Sequence, residues 1–245
     1  MRKLVFIAIV CAVVAVPALA DYSGGRVYYN RIGGYYSGNG GEFTLSTDGG
    51  PGLLLDLSAY AATTKNQTGS TATPSFQTFC VEGTEYIASP MDIMVSTTTA
   101  EGISYSHAIL GGKPAGDDLD PRTAYLYTKF AQGTLAGYNY TAGAGRAGSA
   151  DALQKAIWFI EGETGGVNND FAALALDATT AGGSTDEWVG KGIGDVRILN
   201  TWTPGHVGES AYKLQDQLYL VPAPAAVLLG MLGLSVAGLK LRKYA

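Results

Sequence analysis

The stretch SFQTFCVE, residues 75–82, alternates as a strand does, and the rest of the chain can be read outward from it. With a period of two, Phe79 and Val81 share one face, while Thr78, Cys80 and Glu82 share the other. Cys80 therefore lies off the more apolar face, where packing alone does not account for it. Similar β-like runs occur at residues 26–30, 42–47, 53–60 and 91–98, and strand signals return at 195–202 and 215–221. Glycine clusters at 33–34, 38–41 and 49–52, the last containing Pro51, punctuate them. Residues 61–73, rich in Thr and Ser, read as an exposed loop.

The middle of the chain has a helical period. Asp120 followed by Pro121 is an N-cap with proline at the first helical position, leading into residues 122–132. A second helix is expected over 151–163, with Leu153, Ile157 and Ile160 on one stripe, Ala156 beside it, and Gly162, Gly165 and Gly166 to end it. A short third helix fits 171–178. The sequence shows no repeat of solenoid length. This order predicts a mainly β, α+β fold: an antiparallel β sandwich or barrel with an inserted helical segment.

Both ends differ from this domain. Arg2 and Lys3 precede an apolar run over residues 4–16 and a small-residue site, Ala18-Leu19-Ala20, so residues 1–20 read as an export signal. The run is shorter than the ~20 residues a spanning helix needs, so cleavage is expected. Val10 occupies the position before Cys11 where lipoprotein processing needs a small residue. At the other end, Val221-Pro222-Ala223-Pro224 leads into an apolar stretch and then Lys240, Arg242 and Lys243. Residues 221–241 are long enough to cross a bilayer core, with the basic residues held cytoplasmic. A plain C-terminal anchor would read the same way.

The order of Pro motif, apolar helix and basic cluster resembles the PEP-CTERM sorting signal, with Ala223 where that family usually has Glu. The resemblance implies an exosortase-like processing enzyme as a partner. It also implies transient anchorage in the inner membrane and delivery to the outer surface or extracellular matrix. Domain boundaries follow: 1–20 signal peptide, 21–220 extracellular domain, 221–245 sorting signal.

The chain carries 16 Lys and Arg against 21 Asp and Glu, a net charge of −5. Removing the five basic residues of the ends leaves 11 − 21 = −10 for the domain. Such an acidic domain repels phosphate backbones, so no nucleic-acid partner is expected. Without Cys11, Cys80 is the sole thiol, which excludes an intrachain disulfide and a cysteine metal cluster.

Gln154 and Trp158 are i, i+4 neighbours on a helical stripe distinct from Leu153, Ile157 and Ile160. A Trp one turn along is placed to cover the Gln side chain and keep water from it. Phe79-Cys80-Val81 resembles the aromatic-Cys-aliphatic motif of bacterial thioester domains. Leu153-Gln154-Lys155-Ala156-Ile157-Trp158 is similar to their Gln motif. Residues 124–127 with Phe130 and Gly133 resemble the helix between the two motifs. The resemblance implies a thioester between Cys80 and Gln154, shielded by Trp158. It would capture an amine or hydroxyl of an extracellular polysaccharide or surface protein once, without turnover. The alternative from another class is a structural or carbohydrate-binding matrix protein with the same fold and no reactive bond.

Other residues carry weaker signals. His107 and His206 are the only histidines, and either is a candidate acid–base helper to Cys80. Asp117, Asp118 and Asp120 crowd one segment and invite a Ca²⁺ reading, against which helix capping by Asp120 is simpler. Glu161 and Glu163 lack the pattern of a glycosidase pair. Tyr28, Tyr29, Tyr35 and Tyr36 are candidate sugar-stacking rings, although alternation buries every second side chain of a strand. No cofactor and no metal is expected.

Overall fold

The computed structural model describes residues 23–36, 40–47, 56–70, 72–95, 104–105 and 117–221. The expected signal segment, the tail from Pro222 onward and His107 lie outside them. The elements are β1 (Ser23–Asn30), β2 (Phe43–Thr47), β3 (Ser75–Thr78), β4 (Met91–Val95), β5 (Ser104–Tyr105), β6 (Asp117–Asp118), α1 (Pro121–Ala131), α2 (Ala144–Glu161), α3 (Asp170–Thr179), β7 (Val196–Trp202) and β8 (Lys213–Leu220). Six strands form one antiparallel sheet in the order β3-β2-β1-β4-β7-β8, and β5 pairs with β6 apart from it. No helix among the described residues is long and apolar enough to cross a membrane.

The sheet curls into a half-barrel whose two edges meet. Past β3 the chain bends, and residues 79–81 pair with β8. Leu218 N–H donates to Phe79 O at 3.1 Å and Val81 N–H to Asp216 O at 3.2 Å, which sets Cys80 opposite Gln217. The earlier part of the β3 edge is covered by the preceding loop, through Gln77 N–H to Thr64 O (2.9 Å) and Asn66 N–H to Ser75 O (2.8 Å). The outer side of β3 is therefore covered by chain, which guards against edge-to-edge pairing. β2 and β3 are buried on both faces, which puts polar residues inside, where Thr44 Oγ1 donates to Gln77 Oε1 at 2.9 Å.

The three helices, inserted between β6 and β7, fill the curl. Phe130 of α1 meets Phe79 edge-on at 4.9 Å between ring centres, and the Tyr127 hydroxyl bonds that of Tyr60 at 2.9 Å. Phe79 and Val81 belong to this main core, whereas Cys80 falls in a separate small cluster with Phe43 and Trp158. The alternation of residues 79–81 thus sends the thiol away from the bulk of the apolar packing.

Two expected elements differ. Over 53–60, the described residues from Asp56 on form a turn. The Asp56 carboxylate accepts from Ser58 N–H at 2.9 Å and Tyr60 N–H bonds Leu57 O at 3.1 Å, giving the backbone a local alternative to a strand. The second helix starts at Ala144, two turns before Asp151, despite Gly145 and Gly148. Gly145 sits where any Cβ would come within 2.4 Å of Asn139 Nδ2, so close packing favours glycine over a better helix former. The helix ends as expected, at Gly162 in the left-handed conformation.

Candidate functional site

Helix α2 brings Gln154 to the bend after β3. Both residues are enclosed, Cys80 at 0% and Gln154 at 1% exposure. The Cys80 thiol donates to Gln154 Oε1 at 3.3 Å. The same oxygen accepts the backbone N–H of Gly41 at 3.1 Å and that of Cys80 at 3.3 Å. Gln154 Nε2 in turn donates to Cys80 O at 2.8 Å, which fixes the orientation of the amide. Two backbone N–H groups and a thiol thus converge on one carbonyl oxygen, an arrangement able to stabilise added negative charge there.

The loop opposite has to be glycine to come this close. A Cβ on Gly40 would stand 2.6 Å from Gln154 Cγ, and one on Gly41 would stand 2.5 Å from Phe79 Cδ1. Trp158, 9% exposed, packs with Cys80 and Phe43, and Tyr29 and Ile87 lie against the same cluster. Arg31 places its guanidinium over Tyr36, Phe43 and Tyr29 at 4.9, 5.1 and 5.9 Å. Burial pushes the Cys80 thiol well above its ordinary value, and the nearby Glu82 charge pushes the same way. The Trp158 indole N–H works against them without reaching standard hydrogen-bond geometry. The thiol is accordingly protonated at neutral pH and poorly reactive towards reagents in solution.

Two further contacts tie α2 and the turn that follows it to the segments that flank this amide. Arg146 Nε and Nη2 grip Glu42 at 2.6 and 2.7 Å, with Arg146 at 1% and Glu42 at 0% exposure. Beyond Gln154, the Glu163 carboxylate accepts from Gly83 N–H at 3.0 Å. Gly40, Gly41, Glu42 and Arg146 were not singled out from sequence. The signal was present: counting back from Trp158 and Gln154 in steps of four reaches Ala150 and then Arg146.

Against known proteins, no family model, no curated protein and no solved structure matches the chain.

The remaining candidates have other surroundings. His206 stacks on Tyr212 at 3.7 Å and bonds Glu209 at 3.2 Å. Asp120 caps α1 through Arg122 N–H at 2.7 Å, and among the described residues no group of three His, Cys, Asp or Glu is placed to hold a metal ion. Glu161 accepts from Asp120 N–H at 3.3 Å, and burial pushes its carboxyl up to about 8. Tyr35 is buried against Arg146 at 3.9 Å, while Tyr28, Tyr29 and Tyr36 are half-buried. Of the tail motif only Val221 is described, its N–H bonded to Asp195 O at 2.9 Å. Pro222, Ala223, Pro224, Lys240, Arg242 and Lys243 lie outside the described residues.

Proposed function

We propose that the chain is an exported surface or matrix protein whose domain, a curled antiparallel sheet filled by three helices, captures a partner covalently through a Cys80–Gln154 thioester. One observation carries this reading: an enclosed thiol contacts a glutamine amide whose oxygen already holds two backbone N–H donors. The Cys80 sulfur attacks the Gln154 side-chain carbonyl carbon, and the charge developing on Oε1 falls on the N–H groups of Gly41 and Cys80. Collapse breaks the carbon–nitrogen bond, the thiol proton passes to the departing nitrogen, and ammonia leaves. Trp158 and Phe43 keep water from the bond.

An amine or hydroxyl on a polysaccharide or surface protein then attacks the same carbonyl. Its proton goes to the sulfur, the carbon–sulfur bond breaks, and the partner is held through the Gln154 side chain by an amide or ester. Each molecule acts once. The export signal over residues 1–20 and the sorting tail over 221–245 complete the reading. An exosortase-like enzyme releases the domain from transient membrane anchorage.

Intact mass tests this. The mature wild-type protein should be ~17 Da lighter than its sequence, without a thiol that alkylates in denaturant, and methylamine should add at Gln154 and free Cys80. Cys80→Ala should abolish both the deficit and the adduct. The same spectrum reads whether residues beyond Pro224 have been removed. Full mass with one free thiol sinks the thioester once hydrolysis, which leaves Glu at position 154 and adds ~1 Da, is excluded. The domain would then be a matrix protein with no reactive bond.

A further inference from the structure

Gly40 and Gly41 have no side chains with which to hold their own place, yet the Gly41 N–H has to sit within hydrogen-bond reach of Gln154 Oε1. The residue beside them with an anchoring side chain is Glu42. Its carboxylate is gripped at both oxygens by Arg146, at 2.6 and 2.7 Å, and accepts a third bond from the Tyr138 hydroxyl at 2.9 Å. Arg146 is fixed in turn by Tyr140 O at 2.7 Å, Thr63 O at 2.9 Å and the Tyr35 ring at 3.9 Å. Arg146 and Gln154 lie eight residues apart on one stripe of α2, about 12 Å along the same rigid element.

We propose that the Glu42–Arg146 pair is the positioning device of the thioester site, holding the Gly41 N–H at the oxygen of Gln154 by tying its peptide to the helix that carries Gln154. The inference rests on the thioester reading. Neither residue touches the reacting atoms. They act through Gly41, and a shift of this loop by a fraction of an ångström removes one of the two donors from the developing oxyanion.

The test separates positioning from stability. Methylamine addition to the bonded protein is timed by mass in wild type, Glu42→Gln, Arg146→Lys and Tyr138→Phe. Each is assayed below its melting transition, beside Ile198→Ala, a main-core variant on β7. Glu42→Gln keeps the shape and loses the charge. Arg146→Lys keeps the charge and loses the two-pronged grip. Both should slow addition on the order of 10–100-fold while folded, or leave a folded chain at full mass with a free thiol. Tyr138→Phe, the mildest change, should slow addition by about 3-fold or more and serves if the other two do not fold. Ile198→Ala should melt lower yet react at the wild-type rate. Folded clamp variants that react at the wild-type rate overturn the proposal, as does equal slowing in Ile198→Ala. Wild-type protein without the mass deficit overturns the thioester reading and this one with it, whereas a bonded wild type with unaffected clamp variants overturns this one alone.

Discussion

Arg146 and Gln154 stand on one stripe of α2, both are buried, and both bond the loop of residues 40–42, yet the two polar clusters are built to different ends. Around Arg146, each guanidinium nitrogen and both Glu42 oxygens have partners at 2.6 to 2.9 Å. Around Gln154, one oxygen takes three donors while the Trp158 indole N–H makes no hydrogen bond of standard geometry. A satisfied cluster rigidifies. A cluster with donors crowded on one carbonyl can hold more charge than the resting amide carries.

The largest effect expected tests the first half of that contrast. Arg146→Ala leaves a carboxylate buried at 0% exposure without its cation, a change that typically costs about 3–5 kcal/mol. Burial already holds the Glu42 carboxyl above its ordinary range, so the variant should recover part of the loss in acid as Glu42 takes up a proton. Urea unfolding at pH 7 and pH 5 measures both. A loss under about 1 kcal/mol would mean that the pair is not a stabilising unit.

The second half is tested by Gly40→Ala. The new Cβ would stand 2.6 Å from Gln154 Cγ, a side-chain atom able to move, so the fold should survive at a cost of about 1–3 kcal/mol. The amide should leave its two donors, and most chains should keep full mass and a free thiol. A wild-type mass deficit in this variant would show that the close approach of the loop is dispensable.

Much of this was legible in the sequence, unevenly. Asp120-Pro121 announced α1, because a capping carboxylate and a preset φ act locally. Cys80, Gln154 and Trp158 could be paired across 74 residues only through their motifs, since no local rule links a strand to a distant helix. The first two turns of α2 were hidden because Gly145 and Gly148 lower helix propensity, and packing against Asn139 overrides that penalty. Losing those turns hid Arg146, and with it the partner that holds Glu42. The turn at residues 56–60 was misread as a strand because its apolar residues, Leu57 and Tyr60, are buried as strand residues would be.

A further effect, spread over several pH units, lies at the far end of α2. Burial, the leading cause, lifts the Glu161 carboxyl to about 8 from an ordinary value of 4.5. Below the ordinary value both folded and unfolded chains hold the proton, and this contribution is fully present. Between the two values only the folded chain holds it, so stability falls with rising pH until the loss is complete above about 8. Part of Glu161 stays in solvent, which makes the slope shallower than full burial would give. Glu161→Gln should flatten this part of the profile and be relatively more stable at pH 9 than at pH 5. Parallel wild-type and variant urea midpoints across that range would show that the carboxyl keeps an ordinary titration.

The seam between residues 79–81 and β8 also has a mechanical meaning. β8 is flanked on both sides, by β7 and by the segment bearing Cys80, and the chain passes from it directly to Val221. Hydrogen bonds in an antiparallel ladder run perpendicular to the strands. A pull on the chain beyond Val221 along the strand axis therefore loads both ladders together in shear, instead of peeling one edge bond by bond. A tether attached there would draw on the strand that faces the thiol across the seam, so the segment bearing Cys80 is itself part of the path along which tension enters the domain.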